Sequence, residues 1–310
     1  MTTTRNFVVV GTERWSPGRV GRVLTMSVIA LMFALPIIGF VAMAFRSQAG
    51  IEAGTDGFLG LGGVSFGNAI DSLDELMKFG PGGGGIFAQW MKNSIIVGVA
   101  SAALAVAAAL PAGYALARLR FRARKPWLIA TLLAMVMPNT VLVIPIFLEV
   151  NAVGAIGQLW PVAILMGFFP FGVYLSYIHF MTTMPAEIVE AARIDGLGEI
   201  SIFLRVALPI SKQATALVAF FSFVASWTNF FLPLALLTSN QDNKLISVGI
   251  QELIGASPLF NATVAAGLDV KLYMPHLALA TFISMIPLLL MFLGAQRYLV
   301  RGQTIGAVKG

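Results

Sequence analysis

The acidic residues Glu187, Glu190, Asp195 and Glu199 are the side chains of this sequence best placed to attempt chemistry. Carboxylates gathered at one point could hold a divalent cation and, through it, a phosphate. Their spacing within one short stretch scatters them around a helix instead of converging them. No cysteine is present, which excludes disulfides, thiolate metal sites and Cys nucleophiles. His179 and His276 are the only histidines, too few for a His-rich metal centre or an intramembrane metalloprotease. The glycine clusters Gly60-Leu-Gly-Gly63 and Gly80-Pro-Gly-Gly-Gly-Gly85 lack the Lys-Ser or Lys-Thr that completes a phosphate cradle, and they read as flexible loop. The polar residues must therefore bind or transmit motion, and the elements carrying them decide which.

Those acidic side chains sit in the stretch Met184–Ile210. Pro185 suits a first helical position, and Glu187 and Glu190 favour the positive N-terminal end of a helix. Gly196 can end that helix in a left-handed cap. A second short helix from Glu199 presents Ile200, Phe203 and Leu204 and stops at Pro209. Two short helices joined by an Asp195-Gly196 turn have the shape of a lever for a partner's groove, with Glu190 and Asp195 as polar contacts at its rim. The same pattern also fits an amphipathic connector lying on a membrane.

A membrane is what the composition requires. Of the 310 residues 58% are hydrophobic and 11% charged, about half the charged share of a soluble domain. Six charge-free runs are long enough to cross the hydrocarbon core: Val23–Phe45, Ser94–Ala117, Pro126–Leu148, Trp160–Ile178, Ala214–Leu237 and Leu277–Ala295. The length of the first and its lack of a small-residue cleavage signal make it a retained anchor. Fifteen Lys/Arg fall in 1–22, 118–125, 179–213 and 296–310, against five in 46–93, 149–159 and 238–276, which puts both termini in the cytoplasm. The basic loop Arg118-Leu-Arg-Phe-Arg-Ala-Arg-Lys125 is the strongest of these topology signals. The net charge of +6 is thus a property of cytoplasmic loops and does not indicate nucleic-acid binding. Asp71–Lys78 reads as a short interfacial helix. The expected fold class is all-α, a polytopic bundle of six spans divided into a cytoplasmic segment 1–22, a membrane domain 23–300 and a cytoplasmic tail 301–310.

None of the six interiors holds Asp, Glu, Lys or Arg. Secondary carriers and pumps need such groups at membrane depth to carry coupling charge. His179 and His276 fall at span ends and read as interfacial residues. A membrane-embedded lipid enzyme would need the acidic cluster that this sequence scatters. The alanine-rich stretch Ala100–Leu110 of the second span, flanked by Gly98 and Gly113, lets another helix approach closely, which places it inside the bundle. Span interiors do carry Asn139, Tyr174, Trp227 and Asn229, an aromatic and amide set suited to stacking on sugar rings and bonding their hydroxyls. They serve equally as glue between helices, as do Ser222 and Ser226.

The stretch Glu190-Ala-Ala-Arg-Ile-Asp-Gly196, followed by Phe203 and Leu208-Pro209, resembles the EAA motif of ABC-importer permeases. Asn93-Ser-Ile-Ile96 and Trp227-Thr-Asn-Phe-Phe-Leu-Pro233 are similar to stretches of the same family, and the ending Gln296–Gly310 resembles the tail of its maltose-type carbohydrate branch, so the likeness runs from about residue 90 to the end. It implies a type I importer permease in the bacterial inner membrane, with stretch 184–210 as the coupling loop. Glu190, Ala191, Ala192, Asp195, Gly196, Phe203, Leu208 and Pro209 would then meet a cytoplasmic ATPase. Gly306, Ala307, Val308 and Lys309 would reach between two such ATPase subunits. Ser257, Pro258, Phe260 and Asn261 in loop 238–276 would face an extracytoplasmic solute-binding protein. The resemblance further implies a second, homologous permease and no cofactor or catalysis in this chain, ATP and Mg being bound by the partner subunits.

Overall fold

In hydrocarbon a peptide group finds partners only within its own helix or a closed barrel. The computed structural model describes residues 17–54, 62–80, 84–268 and 270–304, and the regular structure among them is helical. The helices are α1 (Pro17–Met43), α2 (Gln48–Glu52), α3 (Phe66–Lys78), α4 (Ile86–Arg118), α5 (Arg124–Val136), α6 (Val143–Ala152), α7 (Leu159–Gly167) and α8 (Pro170–Thr183). They continue as α9 (Ala186–Ile194), α10 (Glu199–Ile202), α11 (Leu208–Ile210), α12 (Lys212–Thr228), α13 (Phe231–Leu237), α14 (Ile246–Ala256), α15 (Ala262–Ala266) and α16 (Met274–Thr304). Four stretches are long and apolar enough to cross a membrane, Val20–Met43, Ile86–Arg118, Leu159–Thr183 and Met274–Tyr298, and two bent helix pairs raise the total to as many as six.

The spans at Pro126–Leu148 and Ala214–Leu237, whose prolines predict local irregularity, are each broken. In the first, Pro138 cannot donate to the helix, and its ring holds Met137 at ψ 126. A 3₁₀ turn, Asn139–Leu142, then leads into α6, and the two arms meet at 94°. In the second, the chain leaves α12 at Asn229, with ψ 130, and restarts as α13. Pro170 interrupts the helix between α7 and α8, where Phe168 is extended, without breaking Leu159–Thr183 as a span. The interfacial helix expected at Asp71–Lys78 begins earlier, at Phe66, where Ser65 caps it by accepting the Gly67 N–H.

Helix α4 is the centre of the bundle, flanked by α7, α8 and α12. Its alanine and glycine positions bring α8 close, as the small-residue pattern predicts. A Cβ added at Gly113 would stand 2.4 Å from the Ser176 Cβ and 2.7 Å from the Tyr177 backbone nitrogen. Serines stitch α4 to its other neighbours, α7 and α12: the Ser101 hydroxyl donates to the Ala163 carbonyl at 3.2 Å, and the Ser226 hydroxyl lies 3.4 Å from Ser101 Oγ. Ser222 donates to the Ser101 carbonyl at 3.4 Å. Ser222 and Ser226 thus join helices. At the other extreme, α1 keeps most of its apolar surface exposed.

Replacing Gly113 by Ala should destabilise the bundle by about 1–3 kcal/mol, since the clash is with backbone as well as side chain. A lower melting temperature of the detergent-solubilised protein is the expected result, and an unchanged one would contradict the close α4–α8 contact.

Candidate functional site

Pro185 is extended and precedes the first turn of α9, which carries Glu187 at its positive end. The other end closes as a full Schellman cap. The Leu197 N–H reaches the Ala192 carbonyl and the Gly196 N–H the Arg193 carbonyl, both at 3.0 Å. Gly196 sits at φ 83, the left-handed geometry the turn requires. The turn folds α10 back, and the Arg193 Nε donates to the Glu199 carboxylate at 2.7 Å across it. That hydrogen bond raises the pKa of the Arg193 guanidinium. Pro209 does not stop the second helix as its sequence position suggests. Phe203–Ala207 form a wide turn in which the Leu208 N–H bonds the Phe203 carbonyl, and the chain stays helical through Ile210. The widened turn relieves the clash that a proline ring makes with a regular preceding turn. The bend comes after Ser211, where the arm Glu199–Ile210 meets α12 at 81°.

The two faces of this helix pair differ. Val189, Ala192, Ile202 and Ala207 are buried together with Leu110, Tyr114, Phe180 and Met184. The Tyr114 ring is the pivot of this cluster, 5.5 Å from Phe180 and 5.4 Å from Phe203 between centroids. Its hydroxyl is 3.5 Å from Glu199. The opposite face exposes Glu190, Ala191, Asp195 and Gly196. It also exposes two large apolar side chains, Ile194 at 86% and Ile200 at 77%. Of the eight motif residues, Ala192, Phe203 and Leu208 thus pack toward the bundle, while Glu190, Ala191, Asp195, Gly196 and Pro209 face outward. The sequence reading passed over Tyr114, Arg193 and Ile194. Their signals were available: Ile194 lies off the inward period set by Val189 and Ala192, and Arg193 stands six residues before Glu199 across a glycine turn.

At the far end of α4 a second constellation holds α14. The Asn93 side-chain amide donates to the Asp242 and Lys244 carbonyls at 2.7 and 3.1 Å, and Ser94 Oγ accepts the Ile246 N–H at 2.7 Å. Trp90 donates to the Gln241 carbonyl at 3.3 Å. The buried Lys244 ammonium pairs with Glu252 of α14. His276, at the start of α16, accepts the Tyr273 N–H on Nδ1 and meets Glu75 of α3 through Nε2 at 2.8 Å. Both histidine nitrogens are therefore engaged in tying elements together.

The four polar residues read as a solute path occupy separate environments. Asn139 is exposed at the break before α6, and Tyr174 is half-buried near Tyr177, at 6.3 Å between ring centroids. Trp227 is buried and stacks on Phe223 at 5.4 Å, within the apolar cluster that includes Trp90 and Leu253. Asn229 spends its side-chain oxygen on the Leu232 N–H at 3.2 Å, starting α13. In the loop after α14, Ser257 is buried, Pro258 half-buried, and Phe260 and Asn261 exposed, with Asn261 accepting the Val264 N–H at 3.2 Å to cap α15. Gly306, Ala307, Val308 and Lys309 lie outside the described residues, as do parts of both glycine clusters. Among the described residues no group of three or more His, Asp and Glu side chains could hold a metal ion.

A family model described as a binding-protein-dependent transport system inner membrane component matches residues 109–305, a stretch that begins in the last third of α4. The diacetylchitobiose uptake system permease protein DasC of Streptomyces coelicolor is 30% identical over 72% of this chain and 76% of its own length. The maltodextrin transport system permease protein MdxG of Bacillus subtilis is 29% identical over 73% and 77%. The arabinooligosaccharides transport system permease protein AraQ of Halalkalibacterium halodurans is 27% identical over 73% and 76%. A chain in the crystal structure of a bacterial ABC transporter involved in the import of the acidic polysaccharide alginate superposes with a TM-score of 0.72. The superposition covers 93% of this chain and 99% of the other at 22% identity, a likeness of fold.

Replacing Asn93 by Ala would leave the buried Lys244 carbonyl and the partly buried Asp242 carbonyl without their donor, at a cost of about 1–3 kcal/mol. Hydrogen exchange should then accelerate selectively in 241–256 while the α9–α10 segment keeps its protection. Uniform exchange across both segments would refute the local role of this clasp.

Proposed function

Since the chain belongs to the family of binding-protein-dependent transport system inner membrane components, we propose that it moves a sugar through an ATP-driven importer whose motor docks on the outward face of α9 and α10. The chain is a multi-pass inner-membrane permease component of an ABC importer. Arabinooligosaccharides, diacetylchitobiose and maltodextrin are the solutes named for its relatives, which supports a carbohydrate substrate. The strong excess of Lys and Arg in 1–22, 118–125, 179–213 and 296–310 supports a cytoplasmic location for both termini and for the docking face, in a chain of six spans.

The observation that carries the reading is the two-faced loop. Large apolar side chains exposed at a membrane protein's water-facing end mark a surface built for a partner. Ile194 and Ile200 supply that apolar contact, Ala191 permits close approach, and Glu190 and Asp195 supply polar rim contacts. The inner face, gathered on Tyr114, gives the docked motor a rigid purchase on α4 and α8. In this reading two partner subunits bind and hydrolyse ATP with Mg, and this chain does neither. A second, homologous permease completes the path, and a solute-binding protein docks at loop 238–276 near Phe260 and Asn261. The tail residues 306–309 reach the ATPase pair. Closure of the pair swings 185–209, and the bundle exchanges between inward- and outward-facing states because the motor binds the two differently.

Glu190→Ala and Gly196→Asp should each leave the protein inserted yet uncouple ATP hydrolysis from sugar uptake. At φ 83 an Asp side chain costs about 1–2 kcal/mol as well as adding charge to the docking face. Ile194→Glu should weaken recovery of the ATPase with the tagged complex by about tenfold, as loss of a buried interface anchor does. Undiminished uptake by the Gly196→Asp protein would show that the motor docks elsewhere.

A further inference from the structure

The basic loop 118–125 takes no part in the proposed transport cycle. Its five cations divide into two kinds. Arg118 donates to the Phe180 carbonyl at 2.6 Å, and Arg124 donates to the Ala117 carbonyl at 3.3 Å, so both hold the turn between α4 and α5. Arg120, Arg122 and Lys125 are exposed, with no ion pair or hydrogen bond to the described residues.

Beside this loop lies an apolar groove of about 450 Å³ between α4, α5 and the α7–α8 break, within the roughly 300–1,000 Å³ range of small-molecule sites. Its floor is an alanine face of α4, including Ala108, Ala112 and Ala115, and its walls include Phe121, Trp127 and Phe168. Phe121 and Trp127 bracket Arg122 and Lys125 in the chain, so the aromatic walls and the unpaired cations belong to one short turn. The turn is at the Tyr114 end of α4, the same end as α9 and α10. An indole at the water boundary, apolar walls beyond it and cations beside it match the layers of an anionic phospholipid.

We infer that this groove is a binding site for an anionic phospholipid, with an acyl chain against the alanine face and the phosphate held by Arg120, Arg122 and Lys125. A partner helix would fill the apolar part but gives the three cations nothing to neutralise. A lipid satisfies both, and the site fixes α5, which has no buried residue of its own, against α4 and α8.

The test is native mass spectrometry of the complete transporter, purified in mild detergent and offered phosphatidylglycerol or phosphatidylcholine. The wild type should retain phosphatidylglycerol selectively. The combined change Arg120→Ala, Arg122→Ala, Lys125→Ala should cut that preference by at least about tenfold, since each cation near an anionic surface contributes roughly fivefold. Ala112→Phe, which fills the groove, should displace both lipids. The charge-conserving pair Arg120→Lys, Arg122→Lys should keep the preference, separating lipid binding from a folding defect. Equal retention of the two lipids by the wild type, or undiminished phosphatidylglycerol preference in the triple variant, would overturn the site. Because the chain has no native cysteine, a single cysteine at Ala134 in the groove wall reports the rival occupant. Efficient cross-linking of that cysteine to the partner permease would overturn it too.

Discussion

A peptide group left unpaired in hydrocarbon costs several kcal/mol, and this bundle depends on how it meets that constraint wherever a helix stops short. The chain breaks at Met137–Pro138, at Phe168–Phe169 and after Thr228, all within apolar stretches. Two of the breaks are made at a proline, which has no N–H to orphan. The third is covered by Asn229, whose side chain takes the Leu232 N–H while its carbonyl accepts the Ser247 hydroxyl at 2.9 Å. Irregular backbone within an apolar stretch persists where its polar groups find partners in the protein. At the Phe168–Phe169 break the chain supplies such partners itself: the Phe168 N–H reaches the Ile164 carbonyl at 3.2 Å, and the Phe169 carbonyl accepts the Gly172 N–H at 3.0 Å.

The same accounting explains what the sequence disclosed and what it withheld. The spans were legible because their apolar length has no other physical explanation, and the turn at Gly196 was legible because a glycine after an alanine-rich helix has one dominant use. The breaks were less so. Pro138 and Pro170 were visible as weak points, but nothing local distinguishes a kinked helix from a right-angled one. Pro209 was misread for a complementary reason: the wide turn that admits it depends on Phe203 packing against Tyr114, a contact across 89 positions of chain.

The polar residues show the limit more sharply. Trp227 and Asn229 look like solute ligands by type, yet one stacks in an apolar cluster and the other caps a helix. Residue type gives a side chain's capacity to bond, and the fold decides who receives the bond. Asn93 and Ser94 show the reverse case: two residues at the start of a span fasten a helix some 150 positions later.

Those long-range contacts give α4 a mechanical meaning. With 33 residues it spans roughly 50 Å. One end grips α14 through Trp90, Asn93 and Ser94, and the other grips the α9–α10 pair through Tyr114. Between them the alanine and glycine contacts to α7, α8 and α12 are too close to slide independently. A load applied at α9 and α10 thus moves α4 and its neighbours as one body, because a close-packed interface yields as a unit instead of deforming. A docking loop on a loosely packed bundle would spend its motion locally. In the coupling proposed above, a loop seated on Tyr114 would deliver it along α4 to the α14 end of the bundle.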